Sequence, residues 1–319
     1  DVSGKGYLGG YSGGNNSTKG RALGNVDGSD NNSGGSYGGL GGIGSTNVSP
    51  NAVYGDFTNP NELGSGGGGN SGYPGGNGGG LVRITADSIQ LDGEIKGNGS
   101  DSFASGGGSG GGIYINANSL SGAGKVTVNG GVRQHDAYGG AGGGGGRIAV
   151  YYSDISGFNT ANITAYGGTG YRNGGAGTVY LKDTVQGVEN IVFDNNGKSG
   201  NDTTITVTGK TFESLKANGG SIKLVGNLTV TGTLTVDNTG ILTADENIQS
   251  GSIAINNSGT LSVGQGIQTG SIVIKNSGTL THHSTNTMNE YKLEVTTNTL
   301  SIDSTSKIDV SGKGYLAGR

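Results

Sequence analysis

In the second half of this chain apolar residues fall on alternate positions in short bursts, and the bursts recur at a fixed interval. The stretches GTLTVDNTGIL (Gly232 to Leu242), GSIAINNSGTL (Gly251 to Leu261) and GSIVIKNSGTL (Gly270 to Leu280) start nineteen residues apart. Their apolar positions coincide as Leu234, Ile253 and Ile272, as Val236, Ile255 and Ile274, and as Leu242, Leu261 and Leu280. Their punctuation coincides too: Asn238, Asn257 and Asn276 each stand two residues before a glycine. Alternation with period two turns every second side chain to one face of a strand. Strands repeated at a constant interval, with turns between them, predict one winding of a parallel β-solenoid per nineteen residues. Each apolar position then becomes an internal ladder, and backbone groups pair with the windings above and below. Asn suits the turns because it tolerates the left-handed region, and stacked Asn amides can bond from winding to winding. A looser copy follows at Lys292 to Ile302, after an insertion around His282 to Tyr291, and an earlier one runs through Ser221 to Val230.

A longer period runs through the first half. GGGLVRITADSIQLDGEIKGNG from Gly78 and GGGIYINANSLSGAGKVTVNGG match at an offset of 31: Ile84 with Ile115, Ile89 with Leu120, Ile95 with Val126. A third copy from Gly144 keeps the order Ile148, Val150, Ile155, Ile163. These units predict larger windings of the same solenoid, with their glycine runs as loops leaving one side. Before residue 75 almost everything is of the glycine type, interspersed with Tyr7, Tyr11, Tyr37, Tyr54 and Tyr73. Interleaved Tyr, Leu and Ile favour packing over disorder for that segment. The expected divisions are 1–74, a glycine- and tyrosine-rich segment packed on or continuing the solenoid; 75–190, the glycine-rich windings of 31–35 residues; and 191–319, the regular nineteen-residue windings. The octet DVSGKGYL stands at both Asp1 to Leu8 and Asp309 to Leu316. Either it marks one period of a tandem array, or it is a recurring corner motif.

Composition narrows the class. Glycine supplies 73 of 319 residues, about three times its usual share, without the strict third-residue spacing of collagen. Cysteine and tryptophan are absent and the net charge is −4, spread thinly. With no basic stripe, nucleic acid is not an expected partner. No apolar run is long enough to span a bilayer as a helix, and no stretch of the sequence reads as a signal peptide. The missing initiator Met fits a processed or excerpted chain. The lack of cysteine suits an extracellular protein held by hydrogen bonds instead of disulfides.

Units such as GGGIYINANSLSGAGKVTVNGG and GSIAINNSGTLSV resemble those of large secreted bacterial β-helix proteins: filamentous-haemagglutinin-like and autotransporter-like adhesins and giant repetitive cell-surface proteins. The resemblance covers roughly Gly75 to Leu316 and is one of pattern. It implies secretion to the bacterial surface, a right-handed helix, and adhesion or fibre-building in place of catalysis.

Candidate chemistry is sparse. A β-helix polysaccharide lyase or hydrolase needs carboxylates converging on a groove beside a cation. Here Asp87, Asp92, Glu94, Asp136, Asp154 and Asp183 share no register, and Arg83, Arg133, Arg147 and Arg172 are likewise separate. The pair His282-His283 falls in the insertion, where an exposed polar loop is expected, and His135 stands alone. Oxygen-rich stretches at Asp27 to Asn32 and Asp194 to Asp202 raise calcium, but neither has EF-hand spacing, and turn formation accounts for both. No cofactor is expected. A regular ice-binding threonine array is discounted because the outward column reads Thr235, Ala254, Val273. The expected function is a non-enzymatic structural module of an extracellular fibre, partnered by copies of itself through tandem or head-to-tail continuation. A glycan-binding adhesin is the alternative, and a polysaccharide-degrading enzyme the third.

Overall fold

A computed structural model describes residues 1–70, 72–135 and 139–315. The chain is all-β with long, open parallel sheets. It divides into two compact units, the first Asp1–Val188 with Phe193–Thr203, the second Glu189–Val192 with Thr204 onward.

The first unit opens with a small antiparallel hairpin, β1 (Arg21–Ala22) and β2 (Val26–Asp27). Its main strands are β3 (Leu81–Gln90), β4 (Glu94–Lys96), β5 (Gly112–Ser121), β6 (Lys125–Thr127), β7 (Arg147–Asp154), β8 (Ile163–Thr164) and β9 (Thr178–Asp183). The odd members β3, β5, β7 and β9 pair in parallel in that order, and β4, β6 and β8 do the same. Register puts Ile84, Ile115, Val150 and Leu181 in one column, Val82, Ile113, Ile148 and Val179 in another, and Ile95, Val126 and Ile163 in a third. Ile113, Ile115, Ile148 and Val150 are fully buried. Each such side chain contributes about 1.5–3 kcal/mol.

The glycine runs, expected to leave one side as loops, are instead buried and hydrogen-bonded to one another. In the run through Gly106–Gly111 successive amides rotate among three neighbours. Gly106 and Ser109 donate to Gly68 and Ser65, Gly107 and Gly110 to Ala141 and Gly144, and Gly108 and Gly111 to Ser100 and Gly97. The run through Gly142–Gly146 repeats the rule: Gly142 and Gly145 donate to Arg172 and Gly175, Gly143 and Gly146 to Gly131 and Val128. A three-residue rotation belongs to an extended threefold helix of the polyproline II kind, which makes no internal bonds and offers its groups to three sides. Neighbouring runs satisfy those groups. Glycine is required by close approach: a Cβ on Gly108 would strike the carbonyl oxygen of Asn77, and one on Gly143 that of Gly108. Glycines of the N-terminal segment join the same arrangement, Gly35 donating to Gly107 and Gly64 to Gly79.

Strands β10 (Glu189–Asp194) and β11 (Asp202–Thr206) carry the residues at which the units divide. The second unit follows with β12 (Thr211–Asn218), β13 (Ser221–Val225), β14 (Leu228–Asp237), β15 (Ile241–Ala244), β16 (Ile248–Ile255), β17 (Thr260–Val263), β18 (Gly266–Ile274), β19 (Thr279–His282), β20 (Glu294–Ile302) and β21 (Lys307–Ile308). Even-numbered strands from β12 to β20 form one parallel array and odd-numbered strands from β13 to β21 another. From β16 to β18, and from β15 to β19, partners are nineteen residues apart; between β14 and β16 they are twenty apart as far as Val230 and nineteen from Thr233 on, after a register shift. The insertion before β20 lengthens the last step, so that Ile272 pairs with Leu300.

Candidate functional site: the columns and the uncovered edge

The column residues of the second unit stand in register. Leu234 pairs with Ile253, and Ile253 with Ile272; Val236, Ile255 and Ile274 follow suit, as do Leu242, Leu261 and Leu280. All nine are at most 1% exposed. Asn238, Asn257 and Asn276 sit in the left-handed region at φ 48°, 48° and 54°. The residue after each is left-handed too, which turns the chain sharply before the glycine. Asn276 Nδ2 donates to Asn257 Oδ1 at 3.1 Å, but Asn257 Nδ2 turns to Asp237 and Asn238 Nδ2 to Asn218, so the side-chain ladder is mixed.

At the last strands the columns continue and cover disappears. Leu300, Ile302 and Ile308 extend them in register, yet they are 47%, 40% and 39% exposed, and Val310 is 46% exposed. Backbone groups along this edge are the kind of unpaired row that templates further strand pairing.

The titratable groups are spread over local turns. Asp154 and Asp183 accept amides of Ser156 and of Val185 and Gln186, and Glu94 pairs with Lys96. Asp92 accepts the Ala123 amide and Asp87 an Asn118 side chain. Asp136 lies outside the described residues. Arg83 bonds Pro60 O and lies 4.1 Å from the Tyr114 ring centroid; Arg172 lies over Tyr171. In the two oxygen-rich stretches, Asp30 holds Thr18 and the Asn31 amide, and Asn195 ties Gly167, Gly174 and Lys198 together. Among the described residues no three His, Cys, Asp or Glu side chains converge. A cleft of about 360 Å³ beside Tyr171, Arg172, Asn173 and Asn201 contains no carboxylate.

His282 departs from expectation. It is the last residue of β19, buried at 7% exposure and in register with Val263, with Nδ1 2.7 Å from His283 O. Burial lowers the pKa of His283, whose ring meets Tyr291.

Sequence reading also missed a buried cluster in the first unit. The Arg147 guanidinium is sealed from water, its Nε donates to Tyr54 O at 2.9 Å, and it lies over the Tyr37 ring. Tyr37 donates to Glu62 at 3.0 Å, and the Tyr37 and Tyr54 rings are 4.9 Å apart. Burial raises both phenols well above the ordinary tyrosine range and lowers Arg147. This is a strut that seats β7 against the chain around Tyr37 and Tyr54.

The parallel all-β architecture is compatible with β-helix proteins at large. Comparison with known proteins found no matching family model, no similar curated protein and no matching solved structure.

Proposed function

We propose that the chain is a structural module of an extracellular, cell-surface fibre, wound as a right-handed parallel β-solenoid and assembled by head-to-tail or tandem continuation of its windings. One observation carries this reading: apolar columns run in register to Leu300, Ile302 and Ile308 and stop there half-exposed, whereas the same columns one step earlier are buried. Covering that edge with another winding buries what is now wet, and a contact between unlike ends propagates without closing. The turn-bound carboxylates support a mechanical role over acid–base chemistry. Negative-stain microscopy of the purified chain, concentrated and with its ends unblocked, tests the proposal. Unbranched fibres of constant width support it; a species that stays monomeric at all concentrations overturns it.

A further inference from the structure

Asp1–Tyr7 and Asp309–Tyr315 share more than sequence. In both, the leading carboxylate accepts the amide of the Ser two residues on, at 2.8 Å from Ser3 to Asp1 and 3.0 Å from Ser311 to Asp309. In both, the Lys amide returns to the Val carbonyl at 3.2 Å, and the glycine between is left-handed, with φ 64° at Gly4 and 68° at Gly312.

Their outward bonds are complementary. The C-terminal copy bonds backward: the Asp309 amide donates to Leu280 O at 3.0 Å, and Lys313 O accepts from Thr285 at 3.1 Å. The N-terminal copy bonds forward: Val2 donates to Lys96 O at 2.8 Å, Gly4 to Asn98 O at 2.9 Å, Gly6 to Gly78 O at 2.7 Å and Tyr7 to Gly64 O at 3.0 Å. An inner strand of a parallel ladder divides its groups between two neighbours in this way. Exposure divides likewise, since Val310 is exposed while Val2 is half-buried against Gly80 and Gly97. Glycine usage agrees. A Cβ at Gly314 would meet nothing within 4 Å, whereas at the matching Gly6 it would strike the carbonyl oxygens of Gly79 and Gly64, the latter at 2.7 Å. Only the N-terminal setting explains a glycine at this position of the octet.

We infer that the two octets are one structural segment: Asp309–Tyr315 of one copy is the strand that seats against Lys96–Asn98 and the glycine runs at Gly64 and Gly78 of a second copy, in place of that copy's Asp1–Tyr7. Register follows from the bonds. The bond from Asp309 to Leu280 O accompanies pairing of Ile308 with Leu280, so the equivalent bond to Lys96 O sets Ile308 level with Ile95. The column Leu242, Leu261, Leu280, Ile308 then runs on into Ile95, Val126 and Ile163 of the next copy.

This inference rests on the fibre reading and is tested apart from it. In a two-copy chain, residues 1–308 run directly into residues 1–319, so that a single octet forms the junction. Lys307 and Asp309 donate backward, so the Ile308 amide between them faces forward and is covered only if the joint forms, whereas the octet's own forward amides are already bonded at the N-terminus of the single chain. Hydrogen–deuterium exchange therefore compares the Ile308 amide ahead of the junction with the same amide in the single chain. At the junction it should exchange about tenfold more slowly or better. Gly314→Ala should leave the melting temperature of the single chain unchanged, and the same substitution in the junction octet should restore fast exchange at Ile308. An Ile308 amide that exchanges as fast ahead of the junction as in the single chain overturns the inference. Fibres without junction protection would keep the fibre reading and reject this joint; protection without fibres would do the reverse.

Discussion

Replacing Gly143 with alanine separates a packed glycine lattice from a set of loops. The backbone at Gly143 does not lie in the left-handed region, so an L-residue meets no conformational barrier there. In a loop such a change would stabilise slightly, by about 0.4–1 kcal/mol, through the unfolded state. In the lattice the new Cβ lands on Gly108 O and close to Gly107 O, both backbone atoms of a buried run. Neighbouring runs must then separate, straining the bonds from Gly143 to Gly131 O and from Gly168 to Gly143 O. Two buried backbone bonds left poorly made cost about 1–3 kcal/mol each. Overpacking adds about 1–3 kcal/mol, for a total of roughly 3–9 kcal/mol. For a unit of this size, at about 2–4 °C per kcal/mol, that lowers the melting temperature by about 6–36 °C. Tyrosine fluorescence is the assay, because the chain has no Trp and, among the described residues, all tyrosines except Tyr291 and Tyr315 lie in the first unit. Gly93→Ala is the control: nothing lies within 4 Å of its Cβ position, and stability should be unchanged or slightly raised. Should Gly143→Ala melt within a degree or two of the parent, the lattice argument fails.

Three further outcomes are expected. Ile253→Ala, inside its column, should cost about 2–5 kcal/mol, against less than about 1 kcal/mol for Leu300→Ala at the uncovered edge, by chemical denaturation of the second unit. Asn257→Val should destabilise by about 1–2 kcal/mol through its left-handed backbone, while Asn257→Gly should be near neutral; the same denaturation curves decide. Burial raises the pKa values of Tyr37 and Tyr54 in the folded chain, so the stability they confer is complete below the free tyrosine value of about 10 and is lost as pH climbs through their folded values. Alkaline titration followed by phenolate absorbance should therefore show these two ionising only together with unfolding of the first unit. Early, reversible ionisation of every tyrosine would contradict the buried cluster.

Side-chain alternation records strand faces directly, which is why the pairings of Ile84 with Ile115 and of Ile253 with Ile272 were legible. Runs such as Gly142–Gly146 carry no side-chain pattern, and their bonding partners lie in distant runs, so nothing local distinguishes lattice from loop. The available signal was the recurrence of glycine-dominated runs before β3, β5, β7 and β9, broken only by single small residues such as Asn77, Ser109 and Ala176. His282 was misread because the run of apolar letters stops at Leu280, although register carries the column from Ala244 through Val263 into the imidazole. The Arg147 cluster was unreadable for a different reason: Tyr37, Tyr54 and Glu62 reach it from a segment with no period of its own.

Stacking of windings in register is tested most directly by paired cysteines on the outward column of this cysteine-free chain. Thr235 and Ala254 are partners on adjacent strands, as are Ala254 and Val273, whereas Thr235 and Val273 are two strands apart, about 9–10 Å. Disulfides bridge Cα separations of about 4.4–6.8 Å. Mild oxidation should therefore cross-link Thr235→Cys with Ala254→Cys, and Ala254→Cys with Val273→Cys, but leave Thr235→Cys with Val273→Cys as free thiols. Efficient closure of the distant pair, or failure of both adjacent pairs, would contradict the account.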